Sequence, residues 1–521
     1  MKDSFRQSMA WLHVWGGLVA GWVLFFIFVT GTLGYFHKEI DRWMRPELPL
    51  AGARMAPAQA LERADHYLRQ HAAGSDFWVV EMPDDRRQAL QLAWGNGSPF
   101  GRDREQRVLD ATGAFVPVAT PRETGGGYAL YRMHWKLHYL PQYAGLMIVG
   151  LFTMALFVIL LTGIVTHKKI FADFFTFRPG KGQRSWLDLH NLLSVAALPF
   201  FLMISFSGLV FYMEFYMPAG VTANFGTMDR YWKALEPQRD VAPSGRSAPV
   251  LPLSGFAGAA AREWRGGMPD IILVRHPGDA AAEVMLIHDG SRTIMRNVYE
   301  RLHYAAPDGA LLERETARQS PVLGVRSALL GLHEGIFSGW WLRWLYFASG
   351  LLGCGMIATG LVLWTVKRQR KQNGRQSFGL RMVECLNIGT LAGLPVGIAA
   401  YFWANRLLPV DLTGRAAWEA HCLFLGWGAM LLWSSLRPAR RAWIEVLGAA
   451  AGLFAGLPLL NMLTTDRHLG RTLPAADWAL ASFDLMALLA GICFAAAALH
   501  LHNRKRTPVR PVGRLGRKAL A

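Results

Sequence analysis

Four histidines stand at repeated places in this chain, each opening an apolar run that closes on a hydroxyl–glycine pair. Leu12-His13 begins LHVWGGLVAGWVLFFIFVTGTLGYF, and Leu189-His190 begins LHNLLSVAALPFFLMISFSGLVFYM. The two runs align without a gap. His13 and His190, Thr30-Gly31 and Ser207-Gly208, and Tyr35 and Tyr212 all lie 177 positions apart. A second couple follows the same rule: Leu137-His138 runs on to Thr162-Gly163, and Leu332-His333 to Thr359-Gly360. Here the offset drifts from 195 to 197, as a small insertion in the later copy would produce. An ionisable group at one depth of two membrane-length helices is costly in hydrocarbon and marks function. Imidazole is a good ligand for haem iron. A flat macrocycle between two helices needs one histidine from each at equal height, and the sequence offers that twice: His13 with His190, and His138 with His333.

Other histidines compete for these roles. His134 lies one helical turn before His138, and could replace it or face a substrate. His167 ends the second apolar run and rivals His13 or His190, although Trp364 is its counterpart in the later copy. His421 sits in a later apolar run, where it either packs or lines a cofactor edge. His37, His66, His71, His276, His288 and His303 fall in or beside polar segments and read as solvated. Gly16, Gly17, Gly31, Gly163, Gly208, Gly331 and Gly360 leave room beside the histidines, for a flat ligand or merely for close helix packing. Bare zinc would want three or four ligands converging at one point, which pairs on separate helices do not supply. Proton relays favour Asp or Glu in mid-span, and only Asp484 qualifies.

The elements that must carry these residues are membrane helices. Of 521 residues, 52% are apolar and the mean hydropathy is +0.19. Eight runs are long enough to span a bilayer: 11–36, 142–166, 188–213, 341–364, 384–407, 417–436, 442–463 and 476–499. The net charge of +18 comes from basic residues beside the ends of these runs, which argues against nucleic acid. Lys168, Lys169, Arg178, Lys367, Arg368, Arg440 and Arg504 place both termini on the cytoplasmic side of the membrane. Cys354, Cys385, Cys422 and Cys493 form no CxxC or CxxCH, which excludes covalent haem and cysteine-held clusters. No P-loop or GxGxxG is present for a nucleotide or flavin.

The expected fold is thus a mainly α membrane bundle of about eight spans, its first four duplicated, with two small α+β inserts. The boundaries are a first span at 1–37, insert 1 at 38–135, spans two and three at 136–213, insert 2 at 214–330, span four at 331–371, and four further spans with a basic tail at 372–521. In the inserts, 55–71 reads as a helix and FWVVEM and ALQLAW as strands, with VLDATGAFVPV a strand-turn-strand. The later insert repeats the scheme with a helix at 252–265, then IILVRH, EVMLIH and a turn at Asp308-Gly309.

The paired LH…TG helices, WLDLH at 186–190, the stretch LHEGIFSGWWLRWLYFASGLL from Leu332 and the Ala-rich helix near 58–64 resemble the PepSY-associated transmembrane proteins. These are iron-regulated proteins of the inner membrane. The eight-span form with two outer inserts looks like the ferric-siderophore reductases, in particular the ferrioxamine reductase type. The resemblance covers residues 5–370. It implies two non-covalent b-type haems held through His13, His190, His138 and His333, and reduction of Fe(III) in a periplasmic siderophore. No catalytic residue beyond haem ligation is implied. The electron donor would be a quinol or a separate cytoplasmic reductase. Trp135, Arg132 and His134 are candidate substrate contacts. Rival readings are an iron or siderophore permease built on Gly393–Pro395 and Gly456–Pro458, or a non-enzymatic regulator whose inserts bind a partner.

Overall fold

The computed structural model describes all residues except 1–3, 49–55, 85, 87–88, 100–103, 110–121, 168–169, 171, 173, 236–240, 289–292, 297–299, 316–320, 372–376 and 505–521. The chain opens with α1 (Phe5–Gly34), whose start is fixed by a reciprocal cap between Ser4 and Gln7. The short α2 (His37–Trp43) turns it away. The first insert holds α3 (Pro57–His71), β1 (Phe77–Glu81), β2 (Leu90–Gly95) and β3 (Glu105–Leu109). It returns through α4 (Gly126–Lys136) to α5 (Gln142–Thr166), and then α6 (Gln183–Ala196) and α7 (Leu198–Phe211). The helices α8 (Met213–Tyr216), α9 (Ala219–Phe225) and α10 (Met228–Leu235) lead to α11 (Leu253–Glu263). Four strands follow: β4 (Ile271–Arg275), β5 (Glu283–His288), β6 (Glu300–Ala305) and β7 (Leu311–Glu315). Next come α12 (Pro321–Glu334) and α13 (Trp340–Lys371), and finally α14 (Phe378–Leu391), α15 (Gly393–Leu407), α16 (Arg415–Leu436), α17 (Ala439–Thr464), α18 (Leu469–Thr472) and α19 (Trp478–Asn503).

Six described helices, counting α14 with α15 as one, are long and apolar enough to cross a membrane, and seven if the bent pair α6–α7 is one span. The expected third span is that pair. It bends by 65° at Ala197, because Pro199 supplies no N–H in the first turn of α7. The expected sixth span, α16, is not among them: Arg415, Glu419 and His421 stand in its first two turns. The chain likewise breaks at Ala392, before Gly393-Leu394-Pro395, whereas α17 continues through Pro458. The two Gly-Leu-Pro sites are therefore not equivalent breaks.

The two inserts are not separate modules. Their strands join edge to edge in one antiparallel sheet of order β3-β2-β1-β4-β5-β6-β7. Phe77 pairs with Arg275 and Glu81 with Ile271 along the seam. One face packs Trp78, Val80, Leu92, Ile272, Val274 and Leu286 under α3 and α11. The other buries Phe77, Val79, Leu273, Met285 and Ile287. Burial on both faces explains why β1, β4 and β5 read as unbroken apolar runs rather than alternating ones. The expected helices at 55–71 and 252–265 appear as α3 and α11. Of the expected strand-turn-strand VLDATGAFVPV, only Val108 and Leu109 lie in β3, and residues 110–118 fall outside the described residues.

Register places the end of β1, the start of β2, the end of β5 and the start of β6 on one rim of the sheet. The described residues 82–84 with Arg86, and 293–296, lie in the connections that leave that rim. The chain also leaves it from β3 toward α4 and from β7 toward α12. The last helices grip the chain just after α1 and again just before α4. Arg42 binds Asp477 at 2.5 Å, Arg406 lies 3.7 Å over the Trp43 ring, and Arg415 donates to the Glu123 carbonyl.

Candidate functional site

Two histidine couples form inside the bundle. The His13 and His190 ring centres are 6.3 Å apart, on the N-terminal part of α1 and the middle of α6, away from the sheet. The His134 and His333 ring centres are 6.0 Å apart, on α4 and α12, below the sheet rim. The expected pairing of His13 with His190 is what the structure shows. His333 is paired with His134 rather than with His138, so the second couple differs from the expected one. The reason is local. Helix α4 ends at Lys136, and Leu137 leaves it with φ 60°. His138 is thereby turned out, stacks on Phe424 and lies beside Tyr139. The sequence did hold a signal for His134: Leu130, Met133 and Leu137 continue its helical stripe.

The four rings are held by one device. His13 Nδ1 donates to the Ile159 carbonyl at 2.9 Å, His190 Nδ1 to Met356 at 2.9 Å, and His134 Nδ1 to Ile27 at 2.8 Å. Each acceptor stands four residues before the glycine of a hydroxyl–glycine pair. His333 Nδ1 meets the Ser207 hydroxyl at 2.9 Å, and that hydroxyl donates onward to the Met203 carbonyl. The glycines make room for the rings. A Cβ on Gly163 would lie 3.0 Å from the His13 ring, on Gly360 3.1 Å from His190, on Gly31 2.6 Å from His134, and on Gly208 3.0 Å from His333. Every hydroxyl–glycine pair therefore cradles a histidine from another helix. Bonding Nδ1–H to a fixed acceptor sets the tautomer and leaves Nε2 its lone pair, the usual outer support of a metal-ligating histidine.

This arrangement fits a haem. An imidazole nitrogen binds a transition metal at about 2.0–2.1 Å, so two ligands across one iron put their ring centres about 6.3 Å apart. Both couples match that spacing. Among the described residues no three or more His, Cys, Asp or Glu side chains gather as a bare-metal site. Along α1, fourteen residues separate His13 from Ile27, where His134 docks, so the two levels lie roughly 21 Å apart. Phe28 and Phe201 meet edge-on at 6.3 Å in the interval.

The sheet-side couple opens into a cavity of about 400 Å³. Its walls include Tyr35, Tyr131, Trp135, Tyr212, Arg86 and Arg296. Arg86, from the β1–β2 turn, binds Glu39 at 2.7 Å, and Arg343 joins the same carboxylate at 3.2 Å. Tyr131 donates to Glu334 at 2.8 Å, and Arg296, from the β5–β6 turn, reaches Glu334 at 2.5 Å. Sequence reasoning missed the charged groups, because Arg86 and Arg296 reach Glu39 and Glu334 from connections between strands, distant in sequence. Of the candidate substrate contacts, Trp135 and His134 line the cavity, and Arg132 is not among its lining residues.

The remaining histidines have other places. His167 caps the end of α5 and bonds Asn191 at 2.9 Å, beside the far couple but outside it. His421 meets the Tyr139 hydroxyl at 2.7 Å. Two expected to be solvated are not. His303 is buried between Glu283 and Glu315. His37 is half-buried and lines the cavity.

Residues 10–367 match the PepSY-associated TM region family. The chain belongs to that family. An uncharacterized protein of Pseudomonas aeruginosa is 29% identical over 334 residues, covering 60% of this chain and 80% of its own.

Proposed function

We propose that this is a di-haem reductase of the bacterial inner membrane. In this reading it passes single electrons from the cytoplasmic side to ferric chelates, such as siderophores, in the periplasm. The observation that carries the reading is the fourfold cradle: two histidine couples at iron-spanning separation, each ring fixed through Nδ1. In this reading α16 makes the eighth span, the first four spans are a duplication, both termini are cytoplasmic, and the sheet is periplasmic. His13 and His190 hold one b-type haem, and His134 and His333 the other.

A bound haem supplies a reversible one-electron couple. The chain does the rest. The Nδ1 bonds orient the imidazoles, the glycines admit the imidazole rings, and the apolar walls around Leu24, Phe28 and Phe201 exclude water. Tyr212, Trp135 and Arg296 face the cavity where a chelate would approach. Ferric iron prefers hard oxygen ligands and Fe(II) is softer, so one electron delivered there loosens the metal. Electrons would come from a quinol or a separate cytoplasmic reductase.

The test is an absorption spectrum of the purified chain with its haem-to-protein ratio. Two bis-histidine haems per chain are expected, falling to one in His134→Ala and staying at two in His138→Ala. Folded, colourless protein would end the reading.

A further inference from the structure

The groups that link the helices carrying the sheet-side histidines are charged. Glu334 follows His333 on α12, and Tyr131 stands three residues before His134 on α4. Their 2.8 Å hydrogen bond ties the two histidine-bearing helices together across the couple. Arg296 binds the same carboxylate from the sheet side, and its guanidinium lies 4.8 Å over the Phe211 ring. Phe211 in turn packs edge-on against His333 at 5.6 Å.

Arg296 is not a loose surface arm. Its backbone N–H donates to the Ser327 carbonyl at 3.1 Å, and the Ser327 hydroxyl donates back to the Arg296 carbonyl. One turn on, Gly331 lets the Ile294 carbonyl lie against α12, where a Cβ would collide with it. The turn from the sheet is thereby pinned to the helix that carries His333. The far couple has a different strut, in which Arg6 reaches the Thr166 carbonyl from α1 at 2.8 Å.

We infer that the Arg296–Glu334–Tyr131 chain is a positioning and electrostatic element that sets the reduction potential of a haem at His134 and His333, and leaves the far one alone. This rests on the haem reading above. Reduction lowers the charge of the site by one. A fixed cation nearby therefore favours the reduced form, and a fixed anion favours the oxidised form. One unit charge at about 10 Å, with an effective dielectric constant of about 20, changes the ratio of the two forms on the order of tenfold. Arg296 and Glu334 should thus pull in opposite directions on the same couple. Their balance fixes how readily an electron arriving at the sheet side is held or passed on.

The experiment is a redox titration of the holoprotein followed by its spectrum, in wild type, R296Q, R296K, E334Q and R296Q/E334Q. The sheet-side signal is identified by its loss in H333A. R296Q should favour the oxidised form about tenfold, a fall of 59 mV for a one-electron couple. E334Q should move it the opposite way, and R296K and the double variant should stay near wild type. The far couple should be unmoved in all four, which also serves as the control for folding. Shifts of the same sign, shifts shared by both couples, or no shift would overturn the inference. If R296Q sheds the sheet-side haem, R296K and E334Q decide it by the same signs. A wild-type chain without haem is a distinct result, and it removes the underlying reading as well.

Discussion

The two histidine couples use the same cradle on different scaffolds. His13 and His190 sit on α1 and α6, in the long apolar segments themselves. His134 and His333 sit near the ends of the short helices α4 and α12, which precede the long helices α5 and α13 and hang from the sheet rim. The far couple is therefore positioned by the bundle alone. The sheet-side couple is positioned by bundle and sheet together, and it opens into a cavity walled by arginines and tyrosines. A shared local device with unshared support lets one couple be tuned without disturbing the other.

That contrast can be broken at several points. The largest effect is expected from the histidines: H333A should remove one haem and H13A the other, as measured by haem per chain. Loss of both haems from either single variant would make the couples one cooperative site. A smaller effect is expected at the glycines, since overpacking costs typically 1–3 kcal/mol and 1.4 kcal/mol is tenfold in affinity. The Gly31 cradle is the tighter, 2.6 Å against 3.0 Å at Gly163. Gly31→Ala should therefore weaken sheet-side haem retention about tenfold or more, and Gly163→Ala should weaken far-side retention less, both measured by competition with apomyoglobin.

The smallest effect lies in the sheet. The Asp279 carboxylate accepts bonds from the Ser244 hydroxyl and N–H and from the Gly245 and Ala281 N–H groups, which hold it well below the usual carboxylate range. Its contribution is present above pH about 4 and is lost as pH falls toward the depressed value. Asp279→Asn should lower the thermal midpoint near neutral pH by only a few degrees, with both haem spectra unchanged. A haem shift in that variant would mean the sheet and the couples communicate more widely than through Arg296.

The helical bundle was legible in the sequence because hydropathy and length suffice to mark apolar helices. The far couple was legible because His13 and His190 lie in register within such runs. The sheet-side couple was half legible. His333 was identified, but its partner was misassigned to His138, since the repeat was read as though the long helix began at the histidine. Leu137 and Pro141 interrupt it there, and a one-turn choice between His134 and His138 depends on that turn. The single sheet was hidden because pairing across the β1–β4 seam leaves no short-range trace. The cavity charges were hidden as well, because Arg86 and Arg296 reach their carboxylates from connections between strands, distant in sequence. The bend at Ala197 was masked by a run that is apolar throughout, although Pro199 was there to be read.

The seam between β1 and β4 has a consequence for biogenesis. Its two edges are separated by the apolar helix α5, the bent pair α6–α7 and their connections, so the earlier strands must wait, unpaired along one side, until the later ones have been made. An open strand edge is a template for wrong partners, and such distant pairing is slow. Closure of the sheet can happen only when both halves of it lie on the same end of the helical bundle, so the seam joins the placement of α5 and of α6–α7 to the completion of the sheet.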